Sequence, residues 1–156
     1  MSVAALLSLG GNLGDRKALI DAAVTRIAAL PRTQLRARSS YYRTEPVGPV
    51  AQAWFVNIAI ALDTGLSREA LAAACRVIEG ELGRDRSKEI PWGPRAIDID
   101  VVVFGEATEV DERAFVLVPL AEISPRARIG GSTIGGLAAE ADAGGVRRLD
   151  WPLPGL

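Results

Sequence analysis

The fold is decided by residues 54–62, which read WFVNIAIAL. Large apolar side chains occupy every second position, and this period of two predicts a β-strand with one face in the core. The opposite face is small except at its start, where it carries Phe55 and Asn57. This strand therefore predicts a second face on which an aromatic ring and an amide point into one space.

The rest of the chain supplies the other elements of a β-α-β-β-α-β pattern. In chain order we predict a strand over 3–9, a helix from Asp15 to Pro31, a strand over 35–44, the strand over 54–62, a helix from Ser67 to Gly83 and a strand over 96–104. This order is that of the ferredoxin-like sandwich, an α+β fold.

Further elements are predicted after this pattern. They comprise residues 115–120 with a short helical turn near Ala121, a helix over 134–141, and a tail over 146–156 that the sequence leaves open as an added hairpin. We expect residues 1–156 to form one domain with C-terminal additions to the sandwich.

The composition excludes several functional classes. The 156 residues include 18 Lys and Arg against 19 Asp and Glu, and this balance argues against sequence-independent nucleic-acid binding. The chain has no histidine, which excludes histidine-based triads, and its single cysteine, Cys75, excludes an internal disulfide. Since neither a signal peptide nor an apolar run of about 18 residues is evident, we expect a cytoplasmic protein without a membrane partner. The near-neutral charge and the lack of an evident extra apolar face favour a monomer.

Two acidic residues, Asp98 and Asp100, stand in the last predicted strand of the pattern. Acidic side chains are poor strand formers unless they are paired or bound to metal. Their spacing puts both on one face, with Cα atoms roughly 6.5–7 Å apart. Such carboxylates can share Mg²⁺ with phosphate oxygens. For this tripeptide alone, the polar outer face of an edge strand is the more common explanation.

The residues around this pair favour a phosphorylated ligand. Arg84, Arg86 and Arg95 precede it, and guanidinium groups bind phosphate oxygens in pairs of hydrogen bonds. The alternative is an ordinary solvated loop. Trp92 and Phe115 can join Phe55 in a stacking surface for a flat heteroaromatic ligand, although core packing is the alternative for all three rings. By spacing alone, Glu79 is a plain surface residue.

The glycine-rich residues 10–14, GGNLG, do not predict a nucleotide loop. Asn12 stands where a dinucleotide-binding loop has its second glycine, and the Gly-Lys-Ser/Thr ending of a P-loop is missing. We therefore expect a tight strand-to-helix turn.

Five segments together resemble the 6-hydroxymethyl-7,8-dihydropterin pyrophosphokinase family of folate biosynthesis. They are residues 9–15 (LGGNLGD), 40–48 (SYYRTEPVG), 55–57 (FVN), 92–100 (WGPRAIDID) and 115–123 (FVLVPLAEI). The similarity runs from about residue 3 to about residue 125, and the WGPRAIDID segment is its most specific part.

The resemblance implies transfer of the β,γ-pyrophosphoryl group of ATP to the pterin hydroxymethyl oxygen, with release of AMP. It implies a ferredoxin-like fold and two Mg²⁺ ions held by Asp98 and Asp100. It assigns pterin contacts to Thr44, Val47, Phe55, Asn57, Trp92 and Phe115. It assigns nucleotide contacts to Glu79, Arg84, Arg86, Arg95, Val101 and Arg113, among which Arg84 and Arg95 offset charge on the bridging oxygen. No general base is assigned.

The chain departs from the family between the metal strand and Arg113. Members usually carry a Pro-His pair there, whereas in this chain the segment over 105–112 is shortened and contains no histidine. Pro91 also stands where a basic residue is common, and one residue is inserted nearby. We expect ATP binding weaker than that of a full-length relative by about 1.5–3 kcal/mol, the contribution of one charged hydrogen bond.

Two alternatives remain at this point. One is a divergent or inactive paralogue that binds a pterin-like ligand without efficient transfer. The other is a binding module of the same fold without chemistry, such as a ligand-sensing or RNA-binding domain. The acidic pair argues against RNA, because it would repel phosphates unless it held a metal.

Overall fold

The computed structural model describes residues 1–46, 48–108 and 111–155. The larger elements are β1 (Val3–Gly11), α1 (Arg16–Ala28), β2 (Thr33–Arg38), β3 (Tyr42–Thr44), β4 (Phe55–Thr64), α2 (Arg68–Glu81), β5 (Asp98–Phe104), α3 (Ala114–Ile123) and α4 (Ile134–Glu140). Short strands are β6 (Ala107–Thr108), β7 (Arg128–Ile129), β8 (Ser132–Thr133) and β9 (Val146–Arg148), and a single 3₁₀ turn covers Arg86–Lys88.

One antiparallel sheet organises the molecule. Its strand order is β6-β5-β1-β4-β3-β9, and β2 pairs with a further part of β4. The central strand β1 places Gly10 opposite Asn57 on β4 and opposite Asp98 on β5, while Ser8 lies opposite Asp100. The register thus brings the amide on β4 and the two carboxylates on β5, far apart in sequence, to the two sides of β1.

Helices cover both faces of this sheet. On the first face, α1 and α2 pack against a core that includes Leu7, Ile58 and Ile99. On the second face, α3 and α4 pack against a smaller core that includes Leu6 and Ala59. The alternation predicted for residues 54–62 and the α+β sandwich are therefore confirmed, with the acidic pair and Asn57 on the second face.

The predicted helix starts are also confirmed. The Asp15 carboxylate accepts a hydrogen bond from the Ala18 amide at 3.1 Å, and the Ser67 hydroxyl accepts one from the Ala70 amide at 3.1 Å. Both side chains cap amides that have no partner within the helix. Helix α2 ends before Gly83, whose φ of +100° favours glycine.

The strand predicted over 35–44 is two strands, β2 and β3. Ser39 interrupts it: its amide donates to the Ala59 carbonyl, and its hydroxyl accepts from the Ala59 amide, each at 2.8 Å. The hydroxyl thereby takes a main-chain role, which breaks the regular ladder. The chain then turns so that Tyr41 is buried and its hydroxyl donates to Asp21.

One prediction for the C-terminal additions differs from the structure, and one open question is answered. Residues 115–120 belong to α3, so the helical turn expected near Ala121 is only its last part. The apolar run buries Val116, Leu117 and Leu120, a helical spacing that Pro119 does not interrupt. For the tail, which the sequence leaves open as an added hairpin, β9 pairs with β3 and extends the main sheet.

Candidate active site

A cavity of about 340 Å³ opens where β1 ends and β4 and β5 begin, beside the start of α3. Nine of the predicted site residues line it, namely Thr44, Phe55, Asn57, Trp92, Arg95, Asp98, Asp100, Arg113 and Phe115. Ser8, Gly10 and Glu45 line it as well, and sequence analysis missed these three. The predicted contact Val47 lies outside the described residues.

The glycines of β1 allow neighbouring strands to approach closely. A Cβ atom on Gly10 would lie 2.1 Å from Asn57 Oδ1, and one on Gly11 would lie 2.2 Å from the Ala96 carbonyl oxygen. Both glycines belong to the strand, so the turn predicted over 10–14 begins later, and Gly14 with φ of +64° completes it. Gly10 thereby leaves space at the cavity wall, and Gly11 lets the main chain at Ala96 approach β1.

Asn12 joins the segments that flank the cavity, and sequence analysis missed it. Its Nδ2 donates to Gln52 Oε1 and to the Ala53 carbonyl, each at 2.9 Å. Its Oδ1 accepts from the Arg95 amide at 2.9 Å. An amide side chain directly after two glycines, where a predicted strand ends, is the sequence signal that could have revealed it. The structure shows that this amide is buried and hydrogen-bonded.

One end of the cavity is aromatic. Phe55 and Phe115 line it, and buried Asn57 donates from Nδ2 to Thr44 Oγ1 at 2.8 Å. Trp92 is 62% exposed and has a φ of 63°, in the left-handed region that residues other than glycine rarely adopt. The alternative that all three rings serve as core is therefore wrong.

The other end carries the carboxylates. Asp98 Oδ1 accepts from Arg84 Nη1 at 2.9 Å, and Asp98 Oδ2 lies 3.7 Å from Arg95 Nη1. Asp100 Oδ2 lies 3.9 Å from Arg113 Nη2. Burial raises the pKa of Asp100 above its ordinary value, and the nearby Asp98 carboxylate raises it further. A cation between the two carboxylates would relieve this repulsion.

Glu79 lies at the centre of an arginine cluster, so its interpretation as a plain surface residue is wrong. It is 1% exposed. Its Oε2 accepts from Arg84 Nη1 at 3.0 Å and from the Ile99 amide at 2.8 Å, and its Oε1 accepts from Arg86 Nη2 at 2.9 Å. The surface interpretation overlooked that Glu79 follows Cys75 by four residues and so continues the buried stripe of α2.

Arg84 is 3% exposed on its side chain and has several acidic partners. Its Nε and Nη2 donate to the two oxygens of Glu89 at 2.7 and 2.9 Å. Arg113 is held similarly, since Asp111 accepts from its Nε at 3.1 Å and from its Nη2 at 2.8 Å. The Arg113 guanidinium also lies 5.0 Å from the centre of the Phe115 ring.

Four predicted nucleotide contacts do not line the cavity: Glu79, Arg84, Arg86 and Val101. Glu79 and Arg84 lie behind its wall, where Arg84 contacts Asp98. Val101 packs against the first core, on the face of β5 opposite Asp98 and Asp100. Arg86 is half-exposed and pairs with Glu79.

The two cavity carboxylates fit a magnesium ion whose other coordination positions are filled by oxygens of a bound ligand and of water. Within residues 1–46, 48–108 and 111–155, no three Cys, Asp or Glu side chains are grouped to hold a metal unaided. Asp98 and Asp100 supply only carboxylate oxygens, which Mg²⁺ prefers, and leave other positions for phosphate oxygens. In the same described part of the chain, no helix is long and apolar enough to span a membrane.

Comparison with known proteins gives a consistent family. The sequence profile described as 7,8-dihydro-6-hydroxymethylpterin-pyrophosphokinase matches residues 6–125. A 2-amino-4-hydroxy-6-hydroxymethyldihydropteridine pyrophosphokinase of Methylorubrum extorquens is 45% identical, over 94% of this chain and 98% of that relative. The proteins of that name from Pseudomonas aeruginosa and Bacillus subtilis are 38% and 37% identical over 92% and 94% of this chain, and over 94% and 90% of the relatives.

Solved structures agree on the fold. A Plasmodium falciparum HPPK-DHPS chain solved with pterin and p-hydroxybenzoate superposes with a TM-score of 0.69 at 12% identity. The match covers 95% of this chain and 47% of that chain, so this protein spans about half of that structure.

Proposed function

This chain belongs to the 7,8-dihydro-6-hydroxymethylpterin-pyrophosphokinase family, as its motifs predict, and we propose that it transfers the β,γ-pyrophosphoryl group of ATP to 6-hydroxymethyl-7,8-dihydropterin. The acceptor is the hydroxymethyl oxygen, and AMP is released. The observation that carries this proposal is the single cavity with an aromatic and amide end beside a carboxylate and arginine end.

The aromatic end suits the pterin. Phe55 and Phe115 offer ring surfaces for a flat bicyclic ligand, and the Asn57 amide offers hydrogen bonds to its polar edge. Thr44 holds that amide in place through the bond to Asn57 Nδ2. Trp92 adds an exposed ring at the entrance, and Val47 completes the predicted pterin contacts.

The carboxylate end suits the triphosphate. Asp98 and Asp100 would hold two Mg²⁺ ions together with phosphate oxygens. When bound, magnesium neutralises phosphate charge and supports alignment of the attacking oxygen with the β-phosphorus. Because this transfer depends on alignment and charge neutralisation, a chain without histidine can perform it.

The arginines supply the remaining positive charge. Arg84 and Arg95 lie against Asp98, where they can offset charge that develops on the oxygen between the α- and β-phosphorus atoms. Arg113 lies between Asp100 and Phe115, next to both ends of the cavity. Glu79, Arg86 and Val101 stay predicted nucleotide contacts.

We also propose that the chain acts as one domain, as a monomer, and in the cytoplasm.

The test is product identity. The protein is incubated with ATP, Mg²⁺ and 6-hydroxymethyl-7,8-dihydropterin, and nucleotides are separated by chromatography. AMP that forms only when the pterin is present supports the proposal. ADP would indicate an ordinary kinase. Absence of any product, with pterin binding retained in a fluorescence titration, would favour the divergent paralogue.

A further inference from the structure

We propose that Glu89 occupies, in the protein without nucleotide, the place on Arg84 that a phosphate takes on binding, and that this internal competition weakens nucleotide affinity. The proposal rests on the proposed function, because it assigns Arg84 to the triphosphate. It makes Glu89 a residue that sets affinity without itself touching the nucleotide.

The geometry of the pair is that of a phosphate complex. Nε of Arg84 donates to Glu89 Oε2 at 2.7 Å, and Nη2 donates to Glu89 Oε1 at 2.9 Å. These are two parallel charge-assisted bonds from one edge of the guanidinium group. Arginine binds phosphate through the same edge and in the same paired arrangement.

Arg84 has almost no donor to spare. Its Nη1 lies 3.0 Å from Glu79 Oε2, 2.9 Å from Asp98 Oδ1 and 3.3 Å from the Ile97 carbonyl oxygen. A guanidinium group has five N–H donors. The N–H of Nε and one N–H of Nη2 donate to Glu89, and both N–H groups of Nη1 are used by Glu79, Asp98 and the Ile97 carbonyl. Within the described residues, one N–H on Nη2 is left, so a phosphate can form paired bonds only if a carboxylate leaves.

Glu89 is the partner that can leave with the least loss. Glu79 is fully buried and also accepts from the Ile99 amide and from Arg86. Asp98 belongs to the sheet through β5. Glu89 follows the 3₁₀ turn, its side chain is 17% exposed, and within the described residues its carboxylate accepts hydrogen bonds only from Arg84.

The consequence for binding follows from a two-state equilibrium. Nucleotide binds the state in which the edge of Arg84 is free, so the observed dissociation constant equals the intrinsic one divided by the fraction of that state. Removing the Glu89 charge raises this fraction. If the paired state dominates by about ten to one, the dissociation constant falls about tenfold.

The experiment measures binding without turnover. The probe is an ATP analogue with a methylene group between the α- and β-phosphorus atoms, titrated with Mg²⁺ into the protein in a calorimeter. We expect Glu89→Gln and Glu89→Ala each to bind it about tenfold more tightly than the parent chain. The matched control is Asp85→Asn, which removes the same charge from the same segment, where Asp85 contacts Ser87 and lies 3.9 Å from Lys88. The control is expected to change affinity less than about twofold.

The outcomes separate this inference from the proposed function. If the parent chain makes AMP and the folded Glu89→Gln variant binds the analogue no more tightly than the parent chain, the inference is overturned and the proposed function stands. Glu89 would then only hold Arg84 in position. Equal tightening by Asp85→Asn would also overturn it, because the effect would then be long-range charge. A parent chain that neither binds the analogue nor makes AMP overturns both.

Discussion

The substitution Glu79→Gln removes the negative charge at the centre of the arginine cluster and keeps the size of the side chain. The carboxylate accepts from the Ile99 amide and from Arg84 on one oxygen, and from Arg86 on the other, all within 3.0 Å. Glutamine has one acceptor oxygen, and its NH₂ group would face donors that it cannot serve. One oxygen position therefore loses its bonds in either orientation of the amide.

The expected loss of stability can be worked from these contacts. The favourable orientation keeps the amide oxygen on Ile99 and Arg84, which are buried, and turns the NH₂ group toward half-exposed Arg86, which can bind water. The bond from the Ile99 amide then falls from about 1.5–3 kcal/mol, typical of a charged acceptor, to about 1 kcal/mol. The bond from Arg84 keeps its charged donor but loses the opposite charge; removing one partner of a buried ion pair costs about 3–5 kcal/mol in total, and the cost is at the low end here because Glu89 and Asp98 still pair with Arg84. We expect a loss near 3 kcal/mol, roughly 6–12 °C in melting temperature for a chain of this size.

The assay is urea unfolding followed by circular dichroism. The control is Glu81→Gln, because Glu81 lies on the same helix, is half-exposed and pairs with Arg26 at 3.4 Å. Such a surface pair contributes about 0–1 kcal/mol. If Glu79→Gln lost no more stability than Glu81→Gln, the buried charge would not be what holds this cluster together, and the reasoning from hydrogen-bond count would fail.

Three more predictions concern the cavity and the core. Asp98→Ala and Asp100→Ala should each lower AMP formation at least about a hundredfold with the circular dichroism spectrum kept, because each removes a cavity carboxylate that is proposed to hold magnesium. An unfolded variant would instead mean that the carboxylate is structural. Gly10→Ala should weaken pterin binding in a fluorescence titration and destabilise the fold by about 1–3 kcal/mol, since the added Cβ would lie 2.1 Å from Asn57 Oδ1. Cys75 should not react with a disulfide reagent at pH 8 until the protein is unfolded, because burial raises the pKa of its thiol to about 12.

The glycine prediction has a matched control on α2. A Cβ on Gly80 would meet no heavy atom of the described chain within 4 Å, so Gly80→Ala should raise stability by about 0.5–1 kcal/mol. Pterin affinity equal in Gly10→Ala and the parent chain would contradict the assignment of Asn57 to the pterin.

The central part of the site follows from sequence because it depends on local periodicity. The alternation of residues 54–62 fixes which side chains share a face, and it places Asn57 opposite the core without knowledge of any other strand. The spacing of Asp98 and Asp100 does the same for β5. The sheet order is needed only to show that β4 and β5 flank β1, so that Asn57 and Asp98 both lie opposite Gly10. The split β-α-β pattern supplies this order.

Other features depend on contacts between distant segments, which periodicity does not encode. Ser39 breaks a strand only because its hydroxyl meets the Ala59 amide, twenty positions further along the chain. Asn12 matters because its amide meets both Gln52 and Arg95. Helical spacing alone could have predicted that Glu79 is buried. It could not have predicted its partners, because Arg84 and Arg86 follow the helix and the Ile99 amide belongs to β5.

The distribution of charge reconciles the balanced composition with a polyanionic ligand. A net charge of −1 argues against wrapping a nucleic acid, yet Arg95 and Arg113 line one cavity and Arg84 contacts Asp98 in its wall. Each has a carboxylate close by: Arg84 has Glu89, Arg95 has Asp98, and Arg113 has Asp111. Without such partners, neighbouring guanidinium groups in a half-buried cavity would repel one another and destabilise the folded chain. A magnesium–triphosphate complex carries both signs of charge, so the magnesium ions can bind the carboxylates while the phosphate oxygens pair with the arginines. The site can therefore bind a highly charged ligand by exchange of ion pairs, without a large positive charge on the free protein.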